Sequence, residues 1–225
     1  MLGPVIGDLL PSAVGVALSP LPIVAVILML ATPKGRANGA AFAVGWVVGL
    51  TVVCVLVLWL AGGADDPDSG TSTAVDVLEL VFGVVLLGVA KKQWDKRPGP
   101  GEASVLPKWM DSLQDFDARR ALLVGGALAA INPKNLALTL AGAAAIAQGG
   151  LSAGGDVVAI AVFVLLASVT IVGPVLAYLV MRERAESALA TVRQWMGDNN
   201  ATIMTVVCVV LAAKLVGGGI AGLGD

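Results

Sequence analysis

Six apolar stretches of about 20 residues or more run through this 225-residue chain, and nearly all of its charge lies between them. A backbone in hydrocarbon must satisfy its own N–H and C=O groups, so such a pattern dictates membrane-spanning helices. Hydrophobic residues make up 57% of the chain and charged residues 13%. A soluble domain carries roughly 25% charged residues, so the reading is an all-α integral membrane protein. The expected spans are Leu9 to Ala31, Ala37 to Ala64, Thr71 to Ala90, Ala121 to Ala147, Val157 to Met181 and Ala201 to Leu223. Met1 to Ser19 contains no Lys or Arg, so the first stretch reads as a retained span rather than a cleaved signal.

The basic residues set the expected orientation. Lys34 and Arg36; Lys91, Lys92, Lys96, Arg97, Lys108, Arg119 and Arg120; and Arg182, Arg184 and Arg193 fall in alternate loops. They are twelve of the 14 Lys and Arg, the others being Lys134 and Lys214 inside spans. The positive-inside rule then puts both termini outside the cytoplasm, with Asp65, Asp66 and Asp68 facing outward. Three spans followed by three make halves of opposite orientation. The domain reading is 1–92 for the first three-helix repeat, 93–118 for a cytoplasmic linker with an amphipathic helix, and 119–225 for the second repeat, all one membrane domain.

Two spans are interrupted by proline near their centres, at Ser19-Pro20-Leu21-Pro22 and at Asn132-Pro133-Lys134-Asn135. Proline removes a backbone donor and strains the preceding turn, so it persists there only where protein or an aqueous cavity satisfies the freed carbonyls. At 1.5 Å per residue both breaks lie about 17 to 20 Å from a membrane face. A faint repeat ends on them: Val14-Gly15 and Ala17-Leu18 align with Val124-Gly125 and Ala127-Leu128, and one extra residue brings Pro22 opposite Pro133. Paired breaks in two halves point to a transporter's binding site. The candidate substrate-binding residues are Ser19, Pro20, Pro22, Asn132, Pro133, Lys134 and Asn135. Lys134 costs about 2.5 to 3.5 kcal/mol at this depth on the insertion scale, so it must face a cavity or a partner.

Other residues carry smaller expectations. Glu79 and Lys214 occupy equivalent depths in the third and sixth spans and are expected to form an intramembrane ion pair; alternatively, each reaches an outer aqueous vestibule alone. Gly45-Trp46-Val47-Val48-Gly49 permits close helix approach, within a subunit or between two. Gly173-Pro174 reads as a kink for packing. Leu106, Trp109, Met110, Leu113 and Phe116, and Ala185, Leu189, Val192, Trp195 and Met196, each mark an expected short amphipathic helix at the cytoplasmic interface.

Several classes are excluded or disfavoured. His is absent and Cys occurs only as Cys54 and Cys208, so no zinc, haem or Cys-His set can be assembled and no metal or cofactor is expected. The thiols read as small packing residues. There is no polybasic tail for nucleic acid and no G-x-x-x-x-G-K-[ST] for nucleotide hydrolysis. With no His and no clustered acids, enzyme chemistry is not expected.

The proline-broken first span and the Asn-Pro-Lys break in the fourth, with the long basic loop between the halves, resemble the lysine-exporter (LysE) superfamily. Ser19-Pro20-Leu21-Pro22, Thr32-Pro33-Lys34-Gly35-Arg36-Ala37-Asn38-Gly39 and Ala130-Ile131-Asn132-Pro133-Lys134-Asn135 look most like its actinobacterial GAP branch, the peptidoglycolipid or sulfolipid-1 addressing proteins. The resemblance implies an inner-membrane exporter with a 3+3 inverted-repeat core that moves glycolipid toward the cell envelope. Amino-acid exporters of the superfamily tend to carry Pro-Gly-Pro in the first half, where this chain has Pro20-Leu21-Pro22. Loss of that glycine disfavours close backbone approach to a small amino acid and favours the lipid-linked branch.

The expected function is therefore export or flipping of a polar glycolipid, its headgroup held at the midplane between the broken helices by Asn132, Lys134 and Asn135 and walled by Ser19, Pro20 and Pro22. Membrane lipids, a second copy in a homodimer and envelope-biosynthesis proteins are the expected partners. The rival readings are a small-solute exporter for an amino acid or cation, and a non-transporting scaffold for envelope lipid synthesis.

Overall fold

A computed structural model describes residues 2–62, 73–95, 97, 115–181 and 183–224, with the side chains of 73–79, 183–186 and Lys214 among those outside the description. Its elements are α1 (Leu2–Ala17), α2 (Pro20–Leu30), α3 (Gly35–Gly62), α4 (Thr73–Asp95), α5 (Ala118–Ala130), α6 (Pro133–Gln148), α7 (Ala153–Met181) and α8 (Glu183–Gly224). Every element among the described residues is a helix. Three are long and apolar enough to cross a membrane: α3 over Gly35–Leu60, α7, and α8 over Ala201–Ile220. The bent pairs α1 with α2 and α5 with α6 bring the number to as many as five. Residues 73–95 do form a helix, α4, but it does not enter that number.

The chain divides into two compact units, Met1–Ala64 with Leu106–Trp195, and Asp65–Val105 with Met196–Asp225. In the second, α4 runs against the later part of α8. Thr205 Oγ1 donates to Ala90 O at 3.3 Å, and a Cβ on Gly83 would lie 2.6 Å from Val216 Cγ2.

The first unit holds both breaks. In α3, Phe42, Trp46, Leu50 and Cys54 are buried, while Val44, Val48, Val52, Val55 and Trp59 are exposed. Both faces are apolar, as a helix between protein and lipid requires. The Gly45 to Gly49 element approaches a helix of the same chain, α5. A Cβ on Gly45 would fall on Leu122 O, one on Gly125 would fall on Phe42 O, and one on Gly49 would lie 2.9 Å from Gly126 O. The turn from α2 into α3 closes through Thr32 Oγ1 to Met29 O at 2.8 Å and Gly35 N to Thr32 O at 2.8 Å. Asn38 Nδ2 then donates to Phe116 O at 2.8 Å, tying the start of α3 to the chain leading into α5. Asp117 caps α5, accepting from Arg120 N at 2.8 Å.

Two expectations meet a different outcome or none. α7 continues through Gly173-Pro174 with the proline inside it, as a kinked helix can. The segment 185–196 is not a separate short helix but the first turns of α8, which is 42 residues long and has no proline to stop it. The amphipathic segment 106–116 lies outside the described residues except for its end at Asp115 and Phe116.

Candidate functional site

The first break begins with missing donors. In an unbroken helix the N–H groups of residues 19 to 22 would bond the carbonyls of Gly15, Val16, Ala17 and Leu18. Pro20 and Pro22 have no N–H, and Ser19 is extended at φ −96°, ψ 100°. The end of α1 thus leaves four acceptors in a setting poor in water, and α2 departs at 51° with Pro20 in its first turn.

Side chains from the second break and from α7 meet three of these acceptors. Lys134 Nζ donates to Gly15 O at 2.9 Å and to Leu18 O at 3.3 Å. Thr170 Oγ1, on α7, donates to Ala17 O at 2.6 Å. The ammonium sits at the C-terminal end of α1, where the helix dipole is negative and favours a cation.

The second break is built the same way and bends by 62°. Pro133 opens α6, and Asn132 caps it, its Oδ1 accepting from Lys134 N at 3.1 Å. Ile131 N and Asn132 N both turn to Ala127 O, at 2.8 and 3.3 Å, which leaves Leu128 O without its helical partner. Asn135 Nδ2 supplies the bond at 2.9 Å. The Oδ1 of the same side chain accepts from Ser19 Oγ at 3.0 Å. Asn135 is fully buried and Ser19 3% exposed, so this is an inward polar link between the two breaks.

Ser19, Pro20, Pro22, Asn132, Pro133, Lys134 and Asn135 therefore gather at one joint. Pro20 and Pro22 are buried, Asn132 and Lys134 half-buried, and Pro133 exposed. The side chains of Glu79 and Lys214 lie outside the described residues. Thr170 is the joint residue that sequence reasoning missed. Its only signal was a hydroxyl within an apolar span, two residues after Ser168 and four before Pro174.

Each break sets the C-terminus of one short helix against the N-terminus of the next. Their opposed end charges largely offset one another, and Lys134 adds a full positive charge beside backbone acceptors that have no backbone donor. Such a joint can offer a charge-assisted donor to an anionic oxygen and carbonyl acceptors to neighbouring hydroxyls.

The link across the joint can be measured. Ser19→Ala leaves Asn135 Oδ1 without its donor and is expected to cost about 1 kcal/mol, and Asn135→Leu about 2 to 3, because two partners lose their bonds. In a double-mutant cycle followed by thermal unfolding in nanodiscs, the two changes should couple by about 0.5 to 1.5 kcal/mol. Strict additivity would mean that the bond carries no weight.

Compared with known proteins, the chain matches the model of the family described as Sap, sulfolipid-1-addressing protein, over residues 9–221. That range takes in both breaks. No curated protein and no solved structure matches.

Proposed function

We propose that this chain, which belongs to the sulfolipid-1-addressing protein family, passes an anionic glycolipid headgroup across the membrane through the joint between its two broken helices. The observation that carries the reading is the reach of Lys134 Nζ to Gly15 O and Leu18 O. An anionic oxygen attracts an ammonium by its full charge as well as by the hydrogen bond, whereas a neutral carbonyl offers the hydrogen bond alone. Arrival of a sulfate or phosphate therefore draws Lys134 off the end of α1. The released carbonyls then need donors, and sugar hydroxyls supply them. A headgroup carrying both an acidic oxygen and hydroxyls satisfies both sides of the exchanged contact, while its acyl chains stay in lipid.

In this reading the chain is a transporter of the LysE type and GAP branch, lying in the inner membrane with both termini outside the cytoplasm. The halves are inverted repeats, and the unlatched α1 to α2 bend moves the headgroup outward. It is not an enzyme. It works as a homodimer beside the enzymes that make its substrate.

The test is mass spectrometry of lipids retained by the gently purified protein, compared with Lys134→Ala. The expected result is enrichment of an anionic glycolipid that the variant loses. Equal retention by both proteins, or enrichment of neutral and zwitterionic lipids alone, would count against the proposal. Retained amino acid with no lipid would favour the small-solute reading instead.

A further inference from the structure

Among the described residues, four buried side-chain atoms lack a hydrogen-bond partner: Asn38 Oδ1, Trp46 Nε1, Thr139 Oγ1 and Ser168 Oγ. Buried polar groups are nearly always paired, so each calls for an explanation. Three lie on the mutually packed helices α3, α6 and α7. Trp46 and Thr139 are fully buried and Ser168 is 3% exposed.

Close approaches between the helices fix their relative heights. α6 and α7 form a hairpin through a tight turn in which Gly150 takes φ 55°, and a Cβ on Gly142 would lie 3.0 Å from Phe163 Cδ2. Thr139 lies three residues before Gly142, and Ser168 five after Phe163. In an antiparallel pair this sets them within about 3 Å in height. On α3, a Cβ on Gly39 would lie 3.7 Å from Val175 Cγ2. α3 runs with α5, since Gly45 meets Leu122 and Gly49 meets Ala129; α5 continues through the 62° bend into α6, which pairs against α7, so α3 and α7 run in opposed senses. Trp46 is seven residues beyond Gly39, and Ser168 seven before Val175, so these two share a level. Thr139 also lies one helical turn from Asn135 on the buried face of α6.

We infer that Trp46, Thr139 and Ser168 form a polar site in the core of the first unit, one turn beyond the joint, that binds a hydroxyl oxygen. An indole N–H only donates, while Thr and Ser hydroxyls donate or accept. That set suits an oxygen that accepts a hydrogen bond from the indole N–H and exchanges bonds with two hydroxyls. It does not suit a metal cation, which the indole N–H would repel. The oxygen comes from a water molecule or from a sugar hydroxyl, and either meets the two to four polar partners such a site needs. The inference holds whatever the joint transports.

The test uses the full chain in phospholipid nanodiscs. If the site binds oxygen, Thr139→Val and Ser168→Ala each lower Tm by about 2 to 5 °C, because a bonded hydroxyl is lost. If the hydroxyls are simply unpaired, these near-isosteric changes remove a desolvated group, so an unchanged or raised Tm overturns the inference. A second readout does not depend on stability. With Trp59, Trp94, Trp109 and Trp195 replaced by Phe, Trp46 emission should shift to the blue in Thr139→Val and stay in place in Thr139→Ser. No blue shift in Thr139→Val also overturns it. Addition of hexyl β-glucoside, with hexanol as control, separates the sources. A glucoside-specific change in Trp46 emission assigns a sugar hydroxyl, and none, with the Tm loss retained, assigns water.

Discussion

Lys134→Met is expected to abolish movement of an anionic glycolipid headgroup, by at least about tenfold, while costing no more than about 3.5 kcal/mol of stability. The inequality follows from opposing terms. Removing the charge relieves an insertion cost of about 2.5 to 3.5 kcal/mol. Removing the bonds to Gly15 O and Leu18 O forfeits two charge-assisted contacts, each about 1.5 to 3 kcal/mol. The balance runs from near neutral to a modest loss, so the fold persists. The proposed transport has no such compensation, because Met offers no donor to a sulfate or phosphate. Lys134→Arg separates charge from shape. Its guanidinium can hold both carbonyls, so thermal stability should stay near wild type. Its planar fork binds the anion with different geometry, so transport should fall only in part. Reconstituted vesicles containing a headgroup-labelled anionic glycolipid, read by access of an external quencher, would measure the rate, and thermal unfolding in nanodiscs the stability. Wild-type transport by Lys134→Met would refute the headgroup role and leave Lys134 as a latch of the fold.

The breaks were legible in the sequence because their cause is local. Proline lacks an N–H wherever it occurs, and Asn132 before Pro133 is a capping residue at a helix start. What each freed carbonyl meets is not local. Ser19 and Asn135 stand 116 positions apart, and Thr170 reaches Ala17 across 153. No local propensity encodes such pairs. The reading of Lys134 was right about the demand, a partner for a costly charge, but could not name backbone carbonyls as the answer. α8 illustrates the opposite failure. Amphipathic spacing over 185–196 suggested a separate interfacial helix, yet spacing describes a face and not an end. Without a proline the helix continued to Gly224. Gly45 and Gly49 likewise announced a close approach without saying to what, since that depends on which helix the fold brings to them.

The approach of α3 to α5 carries the second large effect, and here the sign is set by what lies in the way. Gly45→Val is expected to cost more than about 4 kcal/mol and to prevent recovery of folded protein, because the added carbon falls on the backbone carbonyl of Leu122. A flexible side chain could turn aside, but a carbonyl inside a helix cannot move without its helix. Gly125→Val meets the carbonyl of Phe42 in the same way from the other side, so neither helix has a spare face to present. Even Gly45→Ala should cost about 1 to 3 kcal/mol. The matched controls are Gly88→Ala on α4 and Gly173→Ala on α7, where an added Cβ has nothing within 4 Å. There alanine should be neutral or stabilise by up to about 1 kcal/mol, since glycine is the poorer helix former. Yield and thermal unfolding of the five variants in one lipid would decide it. If Gly45→Ala behaves like Gly173→Ala, the helices are not held backbone to backbone. The joint would then lose its support, because α5 carries Leu128, whose carbonyl holds Asn135 in place for Ser19.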